Sequence, residues 1–112
     1  MIEIQETSWY SDRLGREMPV KRYGTKGKPC LVIPSQDGKH NDFESFGMVE
    51  ACRPFIENGR LQLFCVDTID AETWSNTNGD PRFRICRHED WFRYLTDEVV
   101  PFIHAKMKEY QP

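Results

Sequence analysis

No apolar run in these 112 residues approaches the ~20 positions that a membrane-crossing helix requires. No basic stripe is present either: 15 Lys and Arg are interleaved with 18 Asp and Glu, for a net charge of −3. A nucleic-acid partner is therefore not expected. The four cysteines, Cys30, Cys52, Cys65 and Cys86, are spaced too widely for a zinc pattern. The three histidines, His40, His88 and His104, are scattered and lack the H-E-x-x-H spacing. No metal and no other cofactor is expected. The opening Met1-Ile2-Glu3-Ile4-Gln5-Glu6 is acidic and alternating, which is unlike a secretory leader. With unpaired cysteines and no leader, a reducing cytoplasm is the expected compartment. Repeats, low-complexity segments and internal boundaries are absent, so residues 1–112 read as one domain.

Aromatic residues are plentiful: seven Phe, four Tyr and three Trp. A domain of this length buries roughly 65% of its unfolded surface, enough for a core without disulfide staples. Ile2 to Ser11 alternates apolar and polar residues like a half-buried strand. Asp12-Arg13-Leu14-Gly15 is a turn, and Glu17 to Tyr23 suits a second strand antiparallel to the first. After a Gly- and Lys-rich loop, Cys30-Leu31-Val32-Ile33 is a short continuous apolar run ending at Pro34. Such runs suggest a strand buried on both faces. Cys30 and Cys65 are then expected to act as small buried hydrophobes.

Phe43, Phe46, Val49, Cys52 and Ile56 recur at helical steps. Asn41 or Asp42 is the expected cap, with Glu44 completing a capping box. Pro54 should kink or restart this helix, and Asn58-Gly59 should stop it. Leu61 to Val66 is the next buried strand, ending at Asp67. A long loop over residues 68–79 contains Trp74, and Asp80-Pro81 opens a further helix. Phe92, Leu95, Val99, Phe102, Ile103, Met107 and Tyr110 are its expected apolar stripe, bent at Pro101. Arg82, Arg84 and Arg87 read as a solvated helix face. The order β-β-β-α-β-α contains one β-α-β unit, so its two strands should be parallel with a right-handed crossover. The expected fold is α/β, with a mixed four-stranded sheet and two main helices.

Several segments between Gly27 and Ile103 carry a family likeness. Pro34-Ser35-Gln36-Asp37-Gly38, after a buried strand, resembles the P-x-x-G-G turn of α/β-hydrolase esterases. Phe46-Gly47-Met48, Pro54 to Arg60, and Leu63-Phe64-Cys65-Val66-Asp67 followed by Trp74 are similar to the same family. Glu98-Val99-Val100-Pro101-Phe102-Ile103 resembles the E-L-I-P-x-I segment of esterase-D and mycolyltransferase-type enzymes. The chain departs from the pattern at Asp37-Gly38, where the family favours two glycines. The resemblance implies an incomplete α/β-hydrolase fold with strand order 1-2-4-3. It also implies carboxylic-ester hydrolysis or acyl transfer by a serine nucleophile on a small-molecule ester. Backbone N–H groups of Gln36 and Asp37 would supply part of the oxyanion hole. Ser35, Asp70 and Trp74, near strand ends, would meet substrate.

G-x-S-x-G, which such a nucleophile requires, occurs nowhere in the chain. The expectation is an N-terminal hydrolase portion, inactive alone, that is truncated or joined by a complementing C-terminal segment. The alternative is a non-catalytic, self-associating interaction module built on a hydrolase scaffold. In the implied order the third strand is an open edge, so a homo-oligomer is expected.

Overall fold

The computed structural model describes residues 2–109. β1 (Ile4–Ser11) and β2 (Arg16–Tyr23) form an antiparallel hairpin, in register from Ile4↔Tyr23 to Ser11↔Arg16. Its turn closes through Gly15, whose φ of 69° is costly for any residue with a Cβ. β2 then pairs antiparallel with β4 (Leu61–Val66), and β4 pairs in parallel with β3 (Lys28–Val32). The strand order is β1-β2-β4-β3, the order the resemblance implied. The fold is α/β with a mixed four-stranded sheet.

β4 is central because its sequence is apolar on both faces; Gln62 to Val66 are all buried. Phe64 and Val66 join Met18, Val20, Tyr94, Leu95, Val99 and Ile103 on one face. Leu63 and Cys65 join Tyr23, Val32, Val49 and Ile56 on the other. Each such side chain contributes about 1.5–3 kcal/mol when fully buried.

The first helical region is two helices, α1 (Asp42–Ser45) and α2 (Met48–Glu57), rather than one. Gly47, at φ 83°, reverses the backbone between them. Phe46 consequently points outward and is 73% exposed. The expected capping box does not form. Asn41 Oδ1 instead accepts from Lys21 Nζ at 2.8 Å, and Glu44 accepts from the Tyr23 hydroxyl at 2.7 Å. A charged donor and a buried phenol take both side chains before the helix end can. α2 continues through Pro54 without restarting. It ends at Asn58-Gly59 in a Schellman pair: Gly59 N–H donates to Ile56 O and Arg60 N–H to Phe55 O.

After β4 comes a loop with a 3-10 turn at Asp70–Glu72, then α3 (Pro81–Tyr94) with Pro81 at its first position. A π-helical turn at Leu95–Val99 joins α3 to α4 (Val100–Glu109). Pro101 lacks an N–H and its ring would crowd the carbonyl four residues back; the widened turn relieves both. The extra residue in that turn shifts the buried stripe. Phe92 turns outward, 58% exposed, and Tyr94 takes the core position. Tyr110 lies outside the described residues. Among those residues no helix is long and apolar enough to cross a membrane.

β3 is not buried on both faces: Lys28, Pro29 and Cys30 are exposed, because no other described residue covers this end of the edge strand. Cys30 is therefore a surface thiol, whereas Cys65 is buried as expected. Lys28 N–H donates to Arg60 O, which turns residues 28, 30 and 32 towards β4. Pro29 and Leu31 therefore direct their main-chain groups to the open side. The radius of gyration is 15.1 Å, with a least extent of 18 Å. A compact chain of this length would have about 13 Å. The molecule is a flat slab rather than a sphere.

Candidate functional site

The C-terminal ends of the parallel strands β3 and β4 lie together, and the loops that leave them interlock. In open α/β sheets this end is where ligands bind. Gly38 is the fulcrum. A Cβ there would stand 2.5 Å from Pro34 Cβ and 2.7 Å from Ser35 O, so only glycine fits. Its carbonyl accepts from Thr68 N–H at 3.1 Å and from Thr68 Oγ1 at 3.0 Å. These two bonds fasten the loop after β3 to the end of β4.

Outward of this junction, the Asp37 N–H donates to Asp70 Oδ2 at 2.8 Å. Asp37 holds a left-handed φ of 61°, which aspartate tolerates better than most residues. Its own carboxylate accepts from Ser75 Oγ at 2.7 and 2.8 Å, and Gln36 Nε2 donates to Ser75 Oγ at 3.0 Å. Gln36, Asp70 and Trp74 line one cleft of about 490 Å³, together with Ile33, Pro34, Thr68 and Trp91. Ser35 is at the loop's base, where its carbonyl accepts from Gly38 N–H at 2.8 Å. Of the residues singled out in the sequence, the fold brings Gln36, Asp37, Asp70 and Trp74 into one neighbourhood. The amide of Asp37 already has a carboxylate acceptor.

His40 and Ser75 are the residues that sequence reasoning missed. His40 N–H donates to Asp67 Oδ1 at 2.7 Å, and its Nδ1 lies 2.6 Å from the same oxygen. Its Nε2 is 2.9 Å from Glu6 Oε1, an ion pair when the ring is protonated. Ser75 bonds Asp37 and Gln36 and is not joined to His40. Nothing in local spacing announced these contacts, since Glu6 lies on β1 and Asp67 follows β4. Among the described residues, no group of three His, Cys, Asp or Glu could hold a metal ion.

Two arginines of α3 also depart from expectation. Arg87 reaches Glu72, Asp90 and the carbonyls of Arg13 and Leu14. Arg84 donates from Nε to Thr73 O at 2.8 Å and from Nη2 to Trp74 O at 3.2 Å. Both are struts rather than solvated surface. Trp91 Nε1, donating to Asp67 O at 3.0 Å, completes the attachment of α3 to the site.

Compared with known proteins, the chain matches no family model and no curated protein. It is similar to the crystal structure of an uncharacterised protein from Capnocytophaga ochracea DSM 7271. The TM-score is 0.57 at 19% identity, over 93% of this chain and 30% of that one. The likeness concerns the fold alone, and this chain spans less than a third of the other's length.

Proposed function

We propose that this chain forms the N-terminal sheet and the oxyanion-side loop of a carboxylic-ester hydrolase that uses a serine nucleophile. One observation carries the proposal: the Asp37 N–H is directed at a carboxylate oxygen, that of Asp70. A backbone N–H aimed at an anionic oxygen is the kind of donor that a tetrahedral acyl-transfer intermediate needs. Strand order and the position of the loop after β3 support the same assignment. Gln36 is the neighbouring donor position on that loop, Ser35 its base, and Trp74 and Asp70 the substrate-facing wall. The described residues contain no serine hydrogen-bonded to histidine, so turnover depends on a nucleophile supplied by another segment or chain. The thiol pattern, with no disulfide among the described residues, suits a reducing cytoplasm.

The test is hydrolysis of short activated esters with fluorophosphonate labelling in parallel. The chain alone should neither turn over nor label. A complex or longer chain supplying G-x-S-x-G should label at that serine. There, Gln36→Ala should be nearly silent and Gln36→Pro should cost about 10²-fold in kcat. Labelling of Ser75, or equal effects from both Gln36 variants, would overturn the assignment.

A second reading, a self-associating module without catalysis, is favoured by the open edge of β3, with Cys30 exposed and Ile33 54% exposed. Sedimentation at micromolar concentration separates the two. This reading expects a dimer that Ile33→Lys returns to monomer; a monomer throughout would exclude it.

A further inference from the structure

A second cavity, of about 210 Å³, shares only Trp74 with the cleft described above. Its walls are Trp74, Pro81, Ile85 and His88, with Thr73 and Arg84 also in its lining. Trp74 and His88 meet edge to face, ring centroids 5.3 Å apart, and leave a flat aromatic corner. Ile85 and Trp74 are 63% and 61% exposed, an uneconomical placement for two large apolar groups.

The polar groups here are few and specific. Arg84 forms no ion pair among the described residues, unlike Arg13, Arg16, Arg53 and Arg87. Its hydrogen bonds use Nε and Nη2 on two carbonyls, which hold the fork in place without a carboxylate partner among the described residues. Nη1 donates to neither carbonyl. Thr73 is 3% exposed, and its hydroxyl has no hydrogen-bond partner. A buried hydroxyl without a partner is costly, and a fixed guanidinium favours a planar anion over a point charge.

We propose that this cavity binds a small aromatic carboxylate, ring between Trp74 and Ile85, carboxylate on Arg84. The volume suits one substituted ring, since a cavity of about 150 Å³ accepts benzene. Apolar walls with one or two converging polar groups are the general character of small-ligand sites. The assignment does not depend on ester hydrolysis and would hold for a non-catalytic chain.

The probe is benzoate, titrated into the chain by calorimetry or ligand-observed NMR beside benzyl alcohol and acetate. Benzoate should saturate with a Kd of about 1–10 mM, as expected for a fragment of its size. Benzyl alcohol, lacking charge, and acetate, lacking the ring, should bind at least about tenfold more weakly. Arg84→Gln should lower benzoate binding to the level of benzyl alcohol. Because Arg84 also steadies residues 73 and 74, Ile85→Glu serves as the second variant. It sits on an exposed position, keeps both carbonyl ties, and should abolish binding by opposing the anion. Equal affinity for benzoate and benzyl alcohol would overturn the proposal. So would unchanged binding in Ile85→Glu, or the absence of saturable benzoate binding up to about 50 mM.

Discussion

His40 and Asp67 are joined twice, through the main-chain N–H and the ring Nδ1 of the histidine, both on one carboxylate oxygen. Asp67 thus ties the loop after β3 to the end of β4 at His40, beside the two Thr68 bonds to Gly38. Asp67→Ala orphans the His40 N–H and should cost about 2–3 kcal/mol. Asp67→Asn, which keeps one acceptor, should cost about 1 kcal/mol. Glu6→Gln, touching the outer nitrogen from an exposed position, should stay within about 0.5 kcal/mol. Urea unfolding with unchanged slope is the measurement; near-zero cost for Asp67→Ala would mean the loop is held elsewhere.

Two buried tyrosines should respond oppositely to loss of the hydroxyl. Tyr94 is fully buried and its hydroxyl has no partner, so Tyr94→Phe should be neutral or stabilising by up to about 1 kcal/mol. The Tyr23 hydroxyl donates to Glu44 at 2.7 Å, so Tyr23→Phe should destabilise by about 1 kcal/mol or more. Thermal unfolding of the two variants side by side decides it; equal and opposite-to-expected shifts would misplace the Tyr94 hydroxyl.

Alkaline pH should unfold the protein from the inside. Burial raises the Cys65 thiol from 9.0 to about 12 and raises the Tyr94 phenol above its ordinary 10.0. Burial, then the bond to Glu44, raises Tyr23 likewise. All three hold their protons more tightly when folded. Their contribution is complete below the unfolded values and is lost as pH rises through the folded ones. Stability should therefore fall steadily above about pH 9, and Tyr94→Phe should flatten that decline. In parallel, Cys30 and Cys86 should react with a thiol reagent in the native state, and Cys65 only on unfolding. Rapid native labelling of Cys65 would contradict its burial.

At position 37, backbone and side chain can be separated. Asp37→Ala and Asp37→Gly both lose the bonds to Ser75, but only glycine is at ease at φ 61°. The glycine variant should be the more stable by about 1 kcal/mol. The reverse order would show that the left-handed conformation relaxes when the carboxylate is removed.

The sheet was legible because its information is local. Leu63 to Val66 is apolar at successive positions, and Asp12 to Gly15 is a turn by composition, so the strands and the first hairpin followed, while the order β1-β2-β4-β3 came from the family resemblance. The helices were less so. The spacing of Phe43, Phe46 and Val49 is helical, yet one left-handed glycine at 47 overrides it. Phe92 and Tyr94 exchanged places because a π-turn before Pro101 adds a residue that simple periodicity does not count. Within the site, Gln36, Asp70 and Trp74 were found from their position after strands. His40 was not, because its partners lie 27 and 34 positions away and meet it only through the fold.

Pro29 sets the terms on which anything can join the free side of the sheet. It faces outward and has no donor, so within β3 only Leu31 offers both a donor and an acceptor there. A guest strand could gain two bonds at Leu31 but would leave one of its own carbonyls opposite the proline ring unanswered. Main-chain pairing alone is then too sparse to recruit a stranger. Admission to this edge is decided by side chains, and the position of Pro29 fixes the alignment in which a suitable strand must arrive.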